Sequence, residues 1–327
     1  MSYPNTLPRG RLAPSPTGAQ HLGNARTFLV AWLYLRSQNG HVTLRIEDLD
    51  TPRTKSWASN QAIEDLAWLG LDWDEIAPLQ SNRKLRYEYL LQTLQTAELV
   101  YPCTCTRSQI EASASAPHES LHPTTLDSDA TIYPGTCSKR QANDAVALQA
   151  SGVKFAWRFR MPSTPIPWTD TLAGPQSLPP NTQLGDFVVA RNYGPTAYQL
   201  AVVADDHDQK MNQVTRGNDL ILSTYRQLAI YQALQWQPPS IWIHVPLVVG
   251  ADGKRLAKRH GDTRLAHWRS QNTPPEFLLG HLAHSLNLTH SPQPISTKEL
   301  LTITQASTHW IHQIPNSPWT PPPQLSI

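Results

Sequence analysis

Residues 10–35 constrain this chain more than any other stretch. Gly10-Arg11-Leu12-Ala13-Pro14 reads as the end of a strand, and Ser15-Pro16-Thr17-Gly18 as a tight turn. From Asn24 onward Phe28, Leu29, Trp32, Leu33 and Leu35 recur at helical spacing. A strand, a turn and a helix in this order aim backbone N–H groups at an anion such as a phosphate. His21, Gly23 and Asn24 stand at the start of the helix. Gly23 would let a ligand approach the backbone, and His21 can donate a hydrogen bond to a phosphoryl oxygen. A His-x-Gly triplet is common by itself; the whole block with its Ser-Pro-Thr-Gly lead is specific.

The rest of the chain extends the alternation. Val42, Leu44 and Ile46 alternate with polar residues over 41–47, and helical periods follow at 57–69 and 84–99. Alternating strands and helices predict an α/β fold with a mostly parallel sheet. Residues 108–130 are rich in Ser, Ala, Thr and Pro and have no clear period; strand-like runs then occupy 154–160 and 184–190. Residues 102–190 therefore read as an inserted subdomain. The α/β pattern resumes near Tyr198, with a helix at 223–234, a strand at 241–249 and a small helix at 275–286. The tail, 315–327, is Pro-rich and is expected to be poorly ordered.

A net charge of only +2 excludes a broadly basic nucleic-acid binder, so any RNA contact needs a local positive face. No apolar run is long enough to cross a bilayer, and residues 1–10 lack an apolar signal segment. A cytoplasmic monomer is the expectation. The three cysteines are Cys103, Cys105 and Cys137. An odd number argues against a disulfide framework, and their clustering favours a shared metal site over free buried thiols. Four ligands make a structural zinc site. The residues themselves offer His118, His122 or the Tyr133 phenol as the fourth.

Four blocks, in order, resemble the glutamyl branch of the class I aminoacyl-tRNA synthetases. Residues 13–26 resemble the HIGH-motif region, and Leu44-Arg45-Ile46-Glu47-Asp48-Leu49-Asp50-Thr51-Pro52-Arg53 is similar to the strand that follows it. The third block is Val203-Ala204-Asp205-Asp206-His207 with Arg216-Gly217-Asn218-Asp219-Leu220. Arg255-Leu256-Ala257-Lys258-Arg259 resembles the KMSKS loop, with Arg255 for the first lysine and Ala257 for the serine. The resemblance implies a Rossmann-like parallel sheet split by an inserted α+β zinc-binding subdomain, with a short C-terminal helical segment. The expected divisions are 1–101 and 191–265 for the two catalytic halves, 102–190 for the insertion and 266–327 for the remainder.

That family joins an amino-acid carboxylate to the α-phosphate of ATP, with magnesium. Both reactants are anions, so the work is charge neutralisation and alignment, and no nucleophilic side chain is required. The resemblance makes His21, Gly23, Asn24 and Lys258 the ATP contacts, with His21, Asn24 and Lys258 the catalytic set. Arg11 and Arg216 would take the two carboxylates of glutamate, Glu47 its ammonium, and Ser15 and Tyr198 would complete the pocket. Taken alone, Glu47 would read as a surface ion pair with Arg45 or Arg53, and Tyr198 as a half-buried core residue. Asp205, Asp206 and His207 either orient ligands or cap a helix end, and stay outside the catalytic set.

Residues 259–327 are too few for the anticodon-reading helical domain of ordinary glutamyl-tRNA synthetases. The short glutamyl-Q members of the branch share this layout. They imply transfer of glutamate to queuosine in the anticodon loop of tRNA(Asp). Their Cys-x-Cys and Tyr-x3-Cys pattern makes Tyr133 the implied fourth ligand of one structural zinc with Cys103, Cys105 and Cys137. The rival readings are a split glutamyl-tRNA synthetase charging tRNA(Glu), a small-molecule nucleotidyltransferase, and a non-catalytic zinc-dependent RNA-binding module.

Overall fold

The computed structural model describes residues 7–49, 54–114, 132–191, 196–254, 256, 263–307 and 309–325. Strand β1 (Arg9–Leu12) leads through the turn into helix α1 (Leu22–Arg36), and β2 (His41–Leu44), α2 (Ser56–Trp68), β3 (Glu75–Ile76) and α3 (Lys84–Thr96) follow. The three strands pair in parallel, with Arg9 opposite His41 and Thr43 opposite Glu75. Leu12, Val42 and Leu44 are fully buried, and so is Thr43 between the last two. Burial of both faces is the signature of a parallel strand covered by helices, and it explains why polar alternation understates this element.

The next segment contains β4 (Val100–Cys103), α4 (Arg107–Ala114), α5 (Asp144–Ala150), β5 (Ala156–Phe159), β6 (Trp168–Asp170), β7 (Gly174–Gln176), α6 (Pro180–Gln183) and β8 (Phe187–Arg191). Strands β4, β5 and β8 form an antiparallel sheet, and β6 and β7 form a separate hairpin. The chain returns to the parallel layer with α7 (Tyr198–Asp208), β9 (Gln213–Gly217), α8 (Ile221–Ala233) and β10 (Ile241–Val245), and ends with α9 (Leu265–Ser270), α10 (Pro275–Ser285) and α11 (Thr297–Ala306). Strands β9 and β10 are parallel, and the edge of β9 meets β1, where Asn212 N–H donates to the Arg9 carbonyl at 3.0 Å. The approach is close at Gly10, where a Cβ would displace the Gln213 side-chain amide and lie 3.1 Å from the Gln213 carbonyl. Two parallel sheets, β3-β2-β1 and β9-β10, thus adjoin at β1 and β9.

One core surrounds α1, whose Leu22, Leu29, Leu33 and Leu35 are fully buried. Each such side chain contributes roughly 1.5–3 kcal/mol of burial. A second core joins Leu90 of α3, Phe159 and Phe187 of the insertion, Leu200 of α7 and Ile230 of α8. The insertion therefore shares apolar packing with helices α3, α7 and α8.

The C-terminal region departs from expectation in two ways. Helices α9 and α11 accompany α10, and α11 starts with a capping box in which Ser296 and Glu299 each bond the other's backbone N–H. The Pro-rich tail is packed, not loose. Trp319 N–H donates to the Leu247 carbonyl and the Trp319 carbonyl accepts from Val249 N–H, both at 2.9 Å, and Leu325 is fully buried. One residue's amide and carbonyl plus one docked leucine hold it, and neighbouring prolines do not interfere with either. Among the described residues no helix is long and apolar enough to cross a membrane.

Candidate active site

Helix α1 begins at His21, whose imidazole Nδ1 accepts from Gly23 N–H at 3.1 Å while Asn24 Oδ1 accepts from His21 N–H at 3.1 Å. This reciprocal cap fixes the ring tautomer. With Nδ1 accepting, the proton of a neutral ring sits on Nε2. Gly23 serves this arrangement first: a Cβ there would lie 2.9 Å from the His21 ring. The first-turn amides differ from the expectation of open phosphate donors. Leu22 N–H is bonded to the Thr263 carbonyl, Gly23 N–H to His21, and Ala25 N–H to the His21 carbonyl. An anion here meets mainly side chains, those of His21 and Asn24.

Arg11, Ser15, His21, Gly23, Asn24, Glu47, Tyr198 and Arg216 all line one cavity of about 980 Å³. Residues from β1, the β2 exit, α7 and β9 are thereby brought together across more than 200 positions of sequence. Lys258, Arg255, Ala257, His118 and His122 lie outside the described residues.

The cavity floor is a buried charge network whose organiser is Asp206. Its Oδ1 accepts from Arg11 Nε at 3.1 Å and from Arg45 Nη1 at 2.6 Å. Arg45, with no exposed surface, also donates to Glu47 Oε1 at 3.0 Å. Arg11 spends a further nitrogen on the Thr215 carbonyl at 3.2 Å, and its Nη2 carries no hydrogen bond among the described residues. Burial would raise the Asp206 carboxyl, but Arg11 and Arg45 outweigh it and hold the group below the ordinary carboxylate range. Burial wins at Glu47, whose carboxyl lies above its usual value despite Arg45 and Arg11. Asp206 is thus neither a helix cap nor a cavity wall; it aims two arginines. Asp205 faces the other way, bound by Gln80 Nε2 at 2.7 Å, Tyr87 OH at 2.9 Å and Arg83 at 2.8 Å. His207 stacks on Trp236, ring centroids 3.6 Å apart. The ion pair between Glu47 and Arg45 does exist, as the bland reading of Glu47 expects, but at the foot of the cavity and not on the surface.

Arg216 enters from β9. Its Nε donates to His244 Nε2 at 3.0 Å, Nη1 to Gln227 Oε1 at 2.9 Å and Nη2 to Thr224 Oγ1 at 2.6 Å. None of these partners is acidic, so its positive charge is left uncompensated at close range. His244 is buried and pushed down to about 4, chiefly by desolvation with Arg216 adding to it, so the ring is neutral at pH 7. His244 is the participant that the sequence does not reveal, while Arg45 and Asp206 read there only as an ion-pair partner of Glu47 and as a ligand-orienting or helix-capping carboxylate. Apart from the Arg45–Glu47 pair, two positions apart, the partners of these three lie 28 to 195 positions away.

At the insertion end of the cavity Cys103, Cys105 and Cys137 place their sulfurs within 4.8 Å of one another. Tyr133 OH lies 3.4 Å from Cys103 Sγ and 3.6 Å from Cys105 Sγ, and Cys105 and Cys137 Sγ are 3.6 Å apart. Tetrahedral zinc–thiolate bonds imply ligand separations of roughly 3.8 Å, so this donor set fits a metal ion. Burial and then the Cys103 thiol push the Tyr133 hydroxyl well above its ordinary value, against which Cys137 N–H, donating to it at 2.8 Å, works; the Arg158 guanidinium lies 3.9 Å from the ring centroid.

Residues 9–314 match the family model described as tRNA synthetases class I (E and Q), catalytic domain. The chain belongs to this family. As a class I synthetase it is a ligase, and the Rossmann-like parallel layer with its insertion is the family's fold. It is similar to the glutamyl-Q tRNA(Asp) synthetase of Rhodopirellula baltica, 51% identical over 85% of this chain and 84% of that protein. It is also similar to the one from Symbiobacterium thermophilum, 45% identical over 90% and 91%. Glutamate–tRNA ligase 2 of Syntrophus aciditrophicus is 39% identical over 85% of this chain but 57% of its own length. A crystal structure of a glutamate tRNA ligase from Elizabethkingia meningosepticum shares the fold, with TM-score 0.77, 24% identity and coverage of 98% of this chain and 68% of that one.

Proposed function

We propose that this synthetase activates glutamate with ATP and transfers it to queuosine in the anticodon loop of tRNA(Asp). The observation that carries the reading is the match, at 45–51% identity and over 84–91% of their lengths, to proteins named glutamyl-Q tRNA(Asp) synthetase. The cavity chemistry supports the amino acid. Arg11 and Arg45 pair with Asp206 and Glu47, and Arg216 hydrogen-bonds only neutral side chains, three cations against two anions. The surplus matches glutamate, whose two carboxylates and one ammonium sum to one negative charge.

In the first step a glutamate carboxylate oxygen bonds to the α-phosphorus of ATP and the bond to pyrophosphate breaks. Arg11, through Nη2, and Arg216 pair with the substrate carboxylates, Glu47 receives the ammonium, and Ser15 and Tyr198 close the pocket. His21 Nε2 and the Asn24 amide contact phosphoryl oxygens beside Gly23, and Lys258 stabilises the charge growing on the departing pyrophosphate. Magnesium accompanies the nucleotide. In the second step a cyclopentenediol hydroxyl attacks the glutamyl carbonyl and AMP leaves. Cys103, Cys105, Cys137 and Tyr133 hold one zinc, which staples β4 to the segment before α5 and carries no step of the reaction.

The test supplies labelled glutamate, ATP and a 3′-blocked anticodon stem-loop of tRNA(Asp). The queuosine-containing stem-loop accepts glutamate in a base-labile ester, and the same loop with guanine does not. Label on the 3′-terminal ribose of tRNA(Glu) instead would overturn the acceptor assignment.

A further inference from the structure

Behind Arg216 lies a chain of buried polar groups that never touches the cavity. Asp170 closes β6 at the tip of the hairpin, and its Oδ1 accepts from two turn amides, Leu172 N–H at 2.9 Å and Ala173 N–H at 2.8 Å. Its Oδ2 accepts from His244 N–H at 3.1 Å and from His244 Nδ1 at 2.7 Å. The other ring nitrogen, Nε2, accepts from Arg216 Nε at 3.0 Å. Asp170 and His244 are each 1% exposed and neither lines the cavity. Trp168 meets the His244 ring edge-on at 5.6 Å, so the imidazole is held by packing as well as by hydrogen bonds.

We propose that Asp170 and His244 are positioning residues for substrate selection: the carboxylate fixes the imidazole tautomer, and the imidazole orients the Arg216 guanidinium toward the amino-acid carboxylate. This rests on the reading of Arg216 as a glutamate contact. The directionality is strict. Arg216 Nε–H can only donate, so His244 Nε2 must be bare and the ring proton must sit on Nδ1, facing Asp170. The neutral ring orients the guanidinium without cancelling its charge. A carboxylate placed directly against Arg216 would orient it equally well but compete with the substrate. The hairpin within the insertion thereby reaches the amino-acid pocket through two side chains.

Asp170→Asn is the decisive variant. Each carboxylate oxygen serves two N–H donors, so the Asn NH2 group has to oppose one pair; the Leu172 and Ala173 amides, fixed in the same turn as residue 170, hold the oxygen, and the NH2 group faces His244. The ring then has to accept at Nδ1 and carry its proton on Nε2, where it opposes Arg216 Nε–H, a tautomer error of the kind known from catalytic triads. In ATP–pyrophosphate exchange with tRNA(Asp) present, KM for glutamate rises about tenfold or more while KM for ATP stays within about twofold. His244→Leu behaves likewise. His244→Gln, whose amide again offers one donor and one acceptor, recovers most of the glutamate affinity. An unchanged glutamate KM in Asp170→Asn overturns the proposal, as does an equal rise in both KM values with a lowered Tm. Arg216→Ala separates the two layers of argument. If it spares the glutamate KM, the glutamate reading of Arg216 fails and the proposal with it; if it raises that KM while Asp170→Asn does not, the positioning role alone fails.

Discussion

Replacing Asp206 with asparagine tests whether the floor of the cavity is organised as described. The carboxylate is 3% exposed and one of its oxygens serves Arg11 and Arg45, themselves 4% and 0% exposed. Asparagine keeps the shape and an acceptor oxygen but removes the charge. Two buried guanidiniums then share only Glu47, and removing one partner of a buried ion pair costs about 3–5 kcal/mol. For a chain of this length Tm falls by about 2 °C per kcal/mol, so a drop of about 6–10 °C is expected. The sign of the pH dependence follows from the depressed Asp206 value. Its stabilisation is complete above the unfolded pKa of about 3.9 and is lost as pH falls through the lower folded value. Thermal scans of both proteins should therefore show a wide gap at pH 7 that narrows in acid. Glutamate KM should rise as well, because Arg11 loses the group that aims it. An Asp206→Asn protein melting within 2 °C of the parent at pH 7, with unchanged glutamate KM, would refute the reasoning.

Lys258→Ala should slow adenylate formation at saturating ATP with little change in ATP affinity, and Arg255→Ala should do less; pre-steady-state rates with both variants check the order. Cys103→Ser should carry little of the proposed zinc by metal analysis, whereas Tyr133→Phe should retain part because the phenol is the weakest of the four proposed ligands. Gly23→Ala forces the His21 ring out of the position it caps, since the new Cβ would sit 2.9 Å from it. Adenylate formation should fall about tenfold while Tm changes by only a few degrees, the lost cap of about 1 kcal/mol being partly offset by better helix propensity. Binding to tRNA(Asp) should weaken steadily as salt rises, with the slope of log Kd against log salt counting phosphate contacts.

The elements that the sequence announces are those with long regular periods. The expected helices at 57–69 and 84–99 occur as Ser56–Trp68 and Lys84–Thr96, and the strand–turn–helix start sits where its apolar spacing puts it. Hairpin strands of three residues, Trp168–Asp170 and Gly174–Gln176, are too short for any period to show. Helix α11 does carry a legible start signal, Ser296 three residues before Glu299, but its apolar face is interrupted by threonines. The residues in contact with the cavity are legible because their types and order match a family pattern. Of the residues that orient them, His244 and Asp170 are not, because they acquire their roles only when distant segments meet; Asp206 reads only as a ligand-orienting or helix-capping carboxylate and Arg45 only as a partner of Glu47. Composition misleads at the tail for a related reason: what holds Trp319 is backbone pairing with residues 247–249, which no count of prolines reports.

The distance along the chain between partners also sets a schedule for synthesis. Arg26, fully buried near the start of α1, has no acidic partner among the described residues; it donates to the Pro246 carbonyl and to Ser285, 220 and 259 positions later. At about 5–20 residues per second of translation, the groups that satisfy this cation emerge roughly 11–52 s after it does. Through that interval the nascent first half presents a charged, unpaired helix face beside leucines that are destined for the interior. Vectorial folding of this enzyme must therefore wait on its later third, and its early ribosome-bound forms are the ones most in need of a chaperone.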